Sequence, residues 1–421
     1  MGNSPRVGVI GLGAMGMGMA STLLREGFDT TGFDVSSSAM EKFKQNGGKG
    51  ASSPRGVAMT VDILVVVVAN SDQTSSVLFD PQTGAVPALP RNAVILLCIT
   101  ASPDYVMGLG GRLREAGRSD IRVIDCPISG GELRAWQGSL SLLCAGEDAD
   151  IDTCRPVLDA LSSRLHVITG GVGAGSRLKL VHQILVGVHI IAANEVMGLC
   201  HLACMNLQSV HDQVMGSDSA SWLFGQRTSH VIDGEKVPAS SLRIIAKDLA
   251  MVMNYGDRYK ATLPLASIAH QLFLQVQSAG WGVEDDCLVL NAYLLGRGDM
   301  ETVRKGVDQS QASHEYGLEA GAICDLLLGI HSTIAVEVLR FARGLGLDIA
   351  NVREVVKDAA GSSVVFDKIC GEVIGRDSFS LGKLNNSTTI REKLSRAIHA
   401  AARLHYPLFL SAEALQQWYN P

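Results

Sequence analysis

The sequence lacks an excess of positive charge. Its 36 lysines and arginines are outnumbered by 42 aspartates and glutamates, leaving a formal net charge of −6 at pH 7. Nucleic-acid binding calls for a basic face, so this balance argues against a nucleic-acid partner. The nine cysteines show no paired C-x-x-C spacing, which argues against a zinc site and a disulfide framework. We therefore expect no metal and a reducing compartment.

The sequence also shows no pattern typical of a targeting segment or a membrane-spanning segment. No signal peptide precedes the first predicted strand, and we expect no apolar run to be long enough to cross a bilayer. These absences predict a cytoplasmic protein without a membrane partner. The chain has 421 residues, 47% hydrophobic and 19% charged, which is typical of a soluble protein of two or three domains.

The N-terminal segment carries a dinucleotide-binding fingerprint. Arg6–Ile10 reads as a buried strand, the glycine-rich GLGAMG at residues 11–16 follows, and Ala14–Glu26 reads as a helix. The acidic Asp34 lies 23 positions after the first glycine, at the end of a second predicted strand. The glycines let the backbone approach a pyrophosphate at the helix N-terminus, and Asp34 would bind ribose hydroxyls and disfavour NADP. The alternative for the glycines is a tight turn between strand and helix, and the alternative for Asp34 is an acidic residue of a turn without a ligand.

The following segments alternate as a doubly wound α/β fold does. Ile63–Val68 and Val94–Ile99 are continuous apolar runs, as in parallel strands buried on both faces. Arg122–Asp125 reads as a further strand. We expect Ser139–Ala145 and Leu165–Ile168 to complete the same sheet.

Two loops follow the carboxyl ends of these strands, where such folds bind ligands. The first is Thr100–Pro103, whose proline is suited to the start of a helix. The second contains Ser129, Gly130 and Gly131, whose amides could form an anion-binding nest for a carboxylate. Without the other motifs, an ordinary glycine turn would be the favoured interpretation of the second loop.

The stretch Gly170–Val196 combines a glycine-rich approach with an apolar helix. Ser176 is placed to cap the helix, and Lys179 and Gln183 lie four residues apart on one face. An apolar environment disfavours the charged ammonium and would suit Lys179 to proton transfer. The alternative is a surface lysine whose stem lies along the helix start.

These motifs together resemble the β-hydroxyacid dehydrogenase family, which includes 3-hydroxyisobutyrate and tartronate-semialdehyde reductases. The resemblance covers about Arg6 to Tyr293. It rests on residues 11–16, 100–103, 125–131, 173–179 and 247–249. It implies a Rossmann domain followed by an all-helical domain, with NAD as cofactor and a small hydroxy acid as substrate.

The resemblance also implies roles for individual residues. Lys179 is the catalytic lysine, and His182 and Gln183 occupy the positions of two asparagines common in the family. The alternative for His182 is a core histidine hydrogen-bonded to backbone, and this is the favoured interpretation of His189. The implied substrate-binding residues are Ser129, Gly130, Gly131, His182 and Gln183. The implied cofactor-binding residues are Gly11, Leu12, Gly13, Ala14, Met15, Gly16, Asp34, Thr100 and Lys247. Ile99 departs from the serine or threonine expected before Thr100.

The run around Lys179 is similar to the L-threonate dehydrogenase branch, which implies oxidation of a four-carbon sugar acid. Lys179 would take the hydroxyl proton as hydride leaves the carbinol carbon. A 3-hydroxyisobutyrate or tartronate-semialdehyde type substrate is the alternative within the family. A non-catalytic NAD-binding scaffold or sensor is the alternative of another class.

The C-terminal quarter repeats the helical segment. Gln183–His189 matches Asp325–His331 at an offset of 142 residues, and Ser221 and Phe224 meet Ser363 and Phe366 at the same offset. A one-residue insertion aligns Pro264-Leu265 with Pro407-Leu408. This register replaces Lys179 with Gly321, His182 with Cys324 and Lys247 with Ile390, so the copy keeps the helices without the chemistry.

The predicted domains are 1–170 for the Rossmann domain, 171–296 for the helical domain, 297–319 for a linker and 320–421 for the degenerate copy. This organisation is similar to that of 6-phosphogluconate dehydrogenase. The second copy carries an apolar stripe at helical spacing, Leu326, Leu327, Ile330, Ile334 and Val338. We expect this copy to fold back on the first in a pseudo-twofold arrangement, as a monomer or homodimer.

Overall fold

The computed structural model describes residues 5–233, 240–294, 318–376 and 379–420. The chain divides into two compact units, Met1–Lys179 and Leu180–Pro421, and each is described by itself. Most of the predicted linker falls outside the described residues.

The first unit is built on a parallel six-stranded sheet with the order β3-β2-β1-β4-β5-β6. Its strands are β1 Val7–Ile10, β2 Thr30–Phe33, β3 Lys49–Gly50, β4 Ile63–Val66, β5 Val94–Leu97 and β6 Arg122–Asp125. Every residue of β1, β4 and β5 is buried, as expected for parallel strands covered on both faces. Its helices are Ala14–Arg25, Ser37–Gln45, Pro54–Ala58, Ser71–Phe79, Pro103–Glu115, Gly131–Gln137 and Asp148–Leu161. The predicted α/β Rossmann class is confirmed.

The last strands of this unit do not complete that sheet, which corrects the sequence prediction. Strands β7 Ile128–Ser129, β8 Leu140–Cys144 and β9 Ser162–Val167 form a separate three-stranded sheet. β8 pairs antiparallel with β7 and parallel with β9. The end of β6 is joined to the residue that follows β8 by the isolated antiparallel bridge Asp125–Ala145.

The second unit is helical and is dominated by two long helices. Ala174–Leu202, which begins in the first unit, has 29 residues, and Ala320–Gly344 has 25. The other helices are Leu207–Met215, Trp222–Asp233, Leu242–Arg258, Pro264–Val276, Asn291–Leu294, Ile349–Lys357, Val364–Val373, Ser387–Ala402 and Phe409–Tyr419. Short 3-10 or π turns cover Gln277–Trp281, Asp286–Leu290 and Leu381–Lys383.

Both long helices are long and apolar enough to cross a membrane, so the expectation that no run reaches that length is wrong. Burial gives their role: all of the apolar window in Ala174–Leu202 and 78% of that in Ala320–Gly344 is buried. They are core helices, since a lipid-facing helix would leave its apolar side chains uncovered by protein. The cytoplasmic location stays a prediction.

Residues 142 positions apart meet across a pseudo-twofold axis within this unit. Ser221 bridges Ser363, the amide of Trp222 donates to Ser362 O, and the amide of Val364 donates to Ala220 O. These last two bonds are reciprocal under the offset. The two helical copies therefore pack face to face, as the sequence predicts.

The axis also runs between two buried imidazoles. His189 and His331 occupy equivalent positions on the two long helices, and their ring centroids lie 4.5 Å apart. Burial lowers the pKa of both, to about 4 for His331. The two rings are therefore neutral at pH 7 and pack as core groups. The core position expected for His189 is confirmed, but neither of its ring nitrogens has a hydrogen-bond partner among the described residues, so the expected bond to backbone is wrong.

Each long helix also contributes a glutamate that caps a helix of the other copy. Glu195 accepts hydrogen bonds from the amides of Leu410 and Ser411 at 2.8 and 3.0 Å. Its counterpart Glu337 accepts from the amides of Leu265 and Ala266 at 3.0 and 3.1 Å. Both carboxyl groups thus accept from the otherwise unpaired amides of a helix N-terminus.

The register of the last two helices differs from the one that the sequence predicts. Helix Leu242–Arg258 corresponds to Ser387–Ala402, and both are followed by a residue in the left-handed conformation, Lys260 and His405. These pairs are 145 residues apart, so the insertion has three residues rather than one. The matched prolines mislead because Pro264 is the first residue of its helix, whereas Pro407 lies before Phe409–Tyr419.

Packing supports the new register. A side chain on Gly187 would touch Leu249, and one on its counterpart Gly329 would touch Leu394, again 145 residues from Leu249. The counterpart of Lys247 is therefore Glu392, and the assignment to Ile390 is wrong. The conclusion that the second copy lacks this lysine is unchanged.

Glu337 makes stability depend on pH. Burial raises the pKa of its carboxyl from 4.5 to about 8, against the two amides that favour the charged form. The folded state therefore keeps a proton that the unfolded chain releases between these values, so stability falls as pH rises from about 4.5 to 8. We expect Glu337→Gln to remove on the order of 5 kcal/mol of this dependence, about 1.4 kcal/mol for each pH unit between the two pKa values.

Urea unfolding at several pH values, followed on the second unit, measures this effect. The difference between wild type and Glu337→Gln should change steadily across the window. Parallel stability curves for the two proteins would show that Glu337 does not titrate with the fold.

Candidate active site

The glycine-rich turn after β1 is tightly packed on one side and open on the other. Gly11 has φ of +94°, and a Cβ there would overlap the carbonyl oxygen of Val67. A Cβ on Gly16 would overlap the carbonyl oxygen of Gly11, so both positions require glycine. At Gly13, which precedes helix Ala14–Arg25, a Cβ would meet no atom within 4 Å. The open position leaves room for a ligand phosphate at the helix N-terminus.

Asp34 follows β2 and is tied to this turn. Its two carboxylate oxygens accept hydrogen bonds from the amides of Leu12 and Ser36, at 2.7 and 2.8 Å. The side chain is only half-buried, and each carboxylate oxygen has further acceptor capacity. Asp34 is therefore placed beside the turn with capacity left for hydroxyl donors.

The loop after β5 follows the sequence prediction closely. Ser102 caps helix Pro103–Glu115 by accepting from the Tyr105 amide, and Pro103 occupies the first turn. Thr100 is half-buried, while Ile99 is 3% exposed and packs in the apolar core. Ile99, where the resemblance implies serine or threonine, therefore makes apolar core contacts.

The loop after β6 has the backbone that the glycines predict. Ser129 belongs to β7, opposite Ser141, and is buried. Gly130 and Gly131 follow with φ of +137° and +75°, a region that favours glycine, and lead into helix Gly131–Gln137. Binding of a substrate carboxylate by these residues stays a prediction.

Asp125 has a role that the sequence analysis missed. Its Oδ2 accepts from the amides of Gly173 and Ser176 at 3.1 and 2.7 Å, and its Oδ1 accepts from the Ser176 hydroxyl at 2.7 Å. The helix begins at Ala174, so the prediction that Ser176 caps it is wrong. Ser176 instead lies in the first turn, where Asp125 satisfies the unpaired amides.

Asp125 is completely buried, and desolvation raises the pKa of its carboxyl to about 6 despite these donors. Gly175 allows the close approach, because a Cβ there would overlap Leu143 O and lie 3.2 Å from Asp125 O. The strand ends thus hold the first turn of the helix directly. Asp125 and Ser176 are 51 residues apart in the sequence, so no local pattern predicts this contact.

Lys179 lies three residues after Ser176 on the anchored helix and is 5% exposed. This burial does not fit the surface-lysine alternative. The charge of a buried lysine depends closely on its surroundings, and that property suits lysine to proton transfer. The second copy has Gly321 at this position.

Three buried side chains of the second unit form a hydrogen-bonded chain. His182 Nδ1 lies 2.9 Å from Gln183 Oε1, and Gln183 Nε2 donates to Asp248 Oδ2 at 2.5 Å. His182 is 1% exposed, Gln183 6% and Asp248 2%. Asp248 belongs to the Lys-Asp-Leu motif at residues 247–249, but the sequence analysis assigns a role only to Lys247.

Lys247 precedes Asp248 on helix Leu242–Arg258. Its Nζ lies 3.1 Å from Asp248 Oδ1, and about a third of its side chain is exposed. Asp248 therefore joins Lys247 to Gln183. The proximity of Lys247 to a cofactor stays a prediction.

The second copy keeps the geometry of this contact with different chemistry. Asp325 corresponds to Gln183 and Lys393 to Asp248, and Lys393 Nζ lies 3.3 Å from Asp325 Oδ1. The amide-to-carboxylate bond of the first copy is thus an ion pair in the second.

Among the described residues, one group of potential metal ligands lies away from this chemistry. Donor atoms of His230, Asp285 and Cys287 fall within 4.8 Å of one another. Burial raises the pKa of the Cys287 thiol well above its usual range, which favours the protonated, weakly ligating form. The expectation of a metal-free enzyme stays a prediction.

Family models match nearly the whole chain. Residues 6–171 match the NAD-binding domain of 6-phosphogluconate dehydrogenase. Residues 173–293 and 317–420 match the NAD-binding domain of NADP-dependent 3-hydroxyisobutyrate dehydrogenase. The chain belongs to the β-hydroxyacid dehydrogenase family. The two segments of the second match agree with the duplicated helical fold.

Individual relatives support the same assignment. The L-threonate dehydrogenases of Cupriavidus necator and Escherichia coli K12 are 35% and 36% identical over 290 and 297 residues. Each alignment covers 69% of this chain and 96% of the relative. The crystal structure of a Salmonella typhimurium 3-hydroxyisobutyrate dehydrogenase superposes with a TM-score of 0.64 at 36% identity, covering 69% of this chain and all of that one. This member of the β-hydroxyacid dehydrogenase family is therefore an NAD(P)-dependent enzyme with additional chain.

Proposed function

We propose that this enzyme oxidises a four-carbon sugar acid such as L-threonate with NAD, using Lys179 as general base. The buried Lys179, on a helix whose first turn is anchored by Asp125, is the observation that carries the proposal. The similarity to L-threonate dehydrogenases supports the substrate class. We also propose a cytoplasmic monomer or homodimer.

The glycine turn fits a dinucleotide. Gly11 and Gly16 hold the backbone against the sheet, Gly13 leaves space beside the helix N-terminus, and Asp34 would bind the ribose hydroxyls. Residues from Leu12 to Met15 and Thr100 would line the same ligand. A bound nicotinamide supplies the hydride acceptor.

Side chains and backbone amides of the protein would transfer the proton and orient the substrate. Lys179 takes the hydroxyl proton during oxidation and returns it to the developing alkoxide in the reverse reaction. Amides of Ser129, Gly130 and Gly131 would hold the carboxylate, and the Gln183 amide would hold a neighbouring hydroxyl.

A substrate panel tests the assignment. The purified chain is offered NAD with L-threonate, its stereoisomers, 3-hydroxyisobutyrate and glycerate, and NADH formation is followed. Oxidation of a four-carbon sugar acid with the highest kcat/KM supports the proposal. A clear preference for 3-hydroxyisobutyrate would assign the other substrate class of the family.

Asp34 is expected to set the cofactor preference. A carboxylate repels the 2′-phosphate of NADP, so the wild type should favour NAD in kcat/KM by at least about ten-fold. Asp34→Asn keeps an acceptor for the Leu12 amide but removes the charge, and it should reduce this ratio by roughly ten-fold. A wild-type preference for NADP would contradict the role of Asp34.

A further inference from the structure

The second helical copy reaches the chain of buried polar groups that contains Gln183. The amide of Gly361, in the second copy, lies 3.2 Å from His182 Nε2. Gly361 permits this approach, since a Cβ there would lie 3.3 Å from His182 Cδ2 and 3.0 Å from Leu185 Cβ. Two helical copies thus meet at the residue beside Gln183.

The direction of each hydrogen bond follows from the one at Gly361. A backbone N–H can only donate, so His182 Nε2 accepts and is unprotonated. Neutral His182 then carries its proton on Nδ1, which donates to Gln183 Oε1. The Gln183 amide is left with Nε2 towards Asp248, as its 2.5 Å contact with that carboxylate requires.

The opposite arrangement is unfavourable at both ends. A proton on His182 Nε2 would face the Gly361 amide, placing two donors against each other. Turning the Gln183 amide would place its oxygen against an Asp248 carboxylate that is paired with Lys247. Unsatisfied buried groups of this kind are costly, so one arrangement is strongly favoured.

We propose that the second helical copy positions Gln183 by holding His182 in its Nδ1-protonated form through the Gly361 amide. Gln183 then presents one remaining N–H of Nε2 as a donor of fixed direction. Resting on the proposed function, this makes His182 and Gly361 positioning residues for a substrate hydroxyl or carboxylate oxygen.

The pseudo-twofold relation provides an internal comparison. The counterpart of Gly361 is Ser219, whose hydroxyl donates to the carbonyl oxygen of Cys324, the counterpart of His182. The second copy therefore keeps the contact between copies without an imidazole or an amide to orient. The oriented amide belongs to the copy that carries Lys179 on its long helix.

The protonation of His182 is measured directly by NMR of the full chain with ¹⁵N-labelled histidine, using His182→Asn to assign its signals. We expect a proton on Nδ1 and an unprotonated Nε2. A predominant Nε2–H form would overturn the proposal. This measurement needs no turnover, so it decides the inference even if no hydroxy acid is oxidised, which would instead refute the proposed function.

Two substitutions separate positioning from packing. His182→Asn keeps a donor near Gln183, whereas His182→Gln keeps an acceptor near Gly361 and loses that donor. We expect His182→Gln to raise KM for the hydroxy acid by roughly ten-fold, the value of about one hydrogen bond, with a smaller change in kcat. His182→Asn should raise KM less.

Lys393→Ala is the matched control, because it breaks the corresponding contact in the second copy. We expect it to leave KM unchanged. Equal KM values for the two His182 variants, or an equal rise in Lys393→Ala, would show that the effect is general loosening of the helical core.

Discussion

Replacing Lys179 with alanine is expected to lower kcat by roughly a hundred- to ten-thousand-fold, the usual contribution of a general acid–base group. Binding of NAD should change little, since the glycine turn and Asp34 form their described contacts without Lys179. Turnover is measured under saturating substrate, and cofactor affinity is measured by titration of protein fluorescence.

Lys179→Arg provides a matched comparison, because it keeps a long cationic side chain that does not give up its proton at working pH. It should be nearly as inactive as the alanine variant. A variant of either kind that keeps near wild-type kcat would refute the catalytic assignment. Cooperative thermal unfolding near the wild-type temperature would show that the loss is chemical.

Truncation after Arg297 is expected to give aggregated protein or new oligomers with little activity. The second copy buries its apolar stripe completely at Leu326, Leu327 and Ile330. Its removal also takes away the Leu410 and Ser411 amides that satisfy the buried Glu195. The first copy would then expose an apolar face, and the carboxyl group of Glu195 within that face would have lost its hydrogen-bond donors. Exposed apolar faces of this kind promote association.

Solubility, mass by light scattering and kcat/KM of the truncated chain measure the outcome. As a control, a protease site placed in the linker at 297–319 lets the whole protein be cut after folding. The two fragments should remain together and active, because the interface persists without the covalent link. A soluble, monomeric and fully active truncation would contradict the fold-back role of the second copy.

The sequence predicted features that depend on local chemistry. The turn at Gly11, the helix start at Pro103 and the apolar parallel strands all follow from steric limits and side-chain pattern over a few residues. The duplication was visible because the core residues of two long helices repeat at one spacing.

Features that depend on distant contacts could not be predicted. Asp125 meets Ser176 across 51 residues and Gly361 meets His182 across 179, and no periodicity connects such pairs. The register of the last helices failed for a related reason: identical residues at Pro264 and Pro407 outweighed the packing of Leu249 and Leu394.

The exchange of helix caps by Glu195 and Glu337 has an evolutionary consequence. At a two-fold interface between identical subunits, every mutation enters on both sides at once and must be tolerated in both settings. In this chain each side is encoded separately, so a mutation changes one side only. Contacts such as Gln183–Asp248 and Asp325–Lys393 are thereby free to diverge. One side can be selected for chemistry while the other is selected for fit alone.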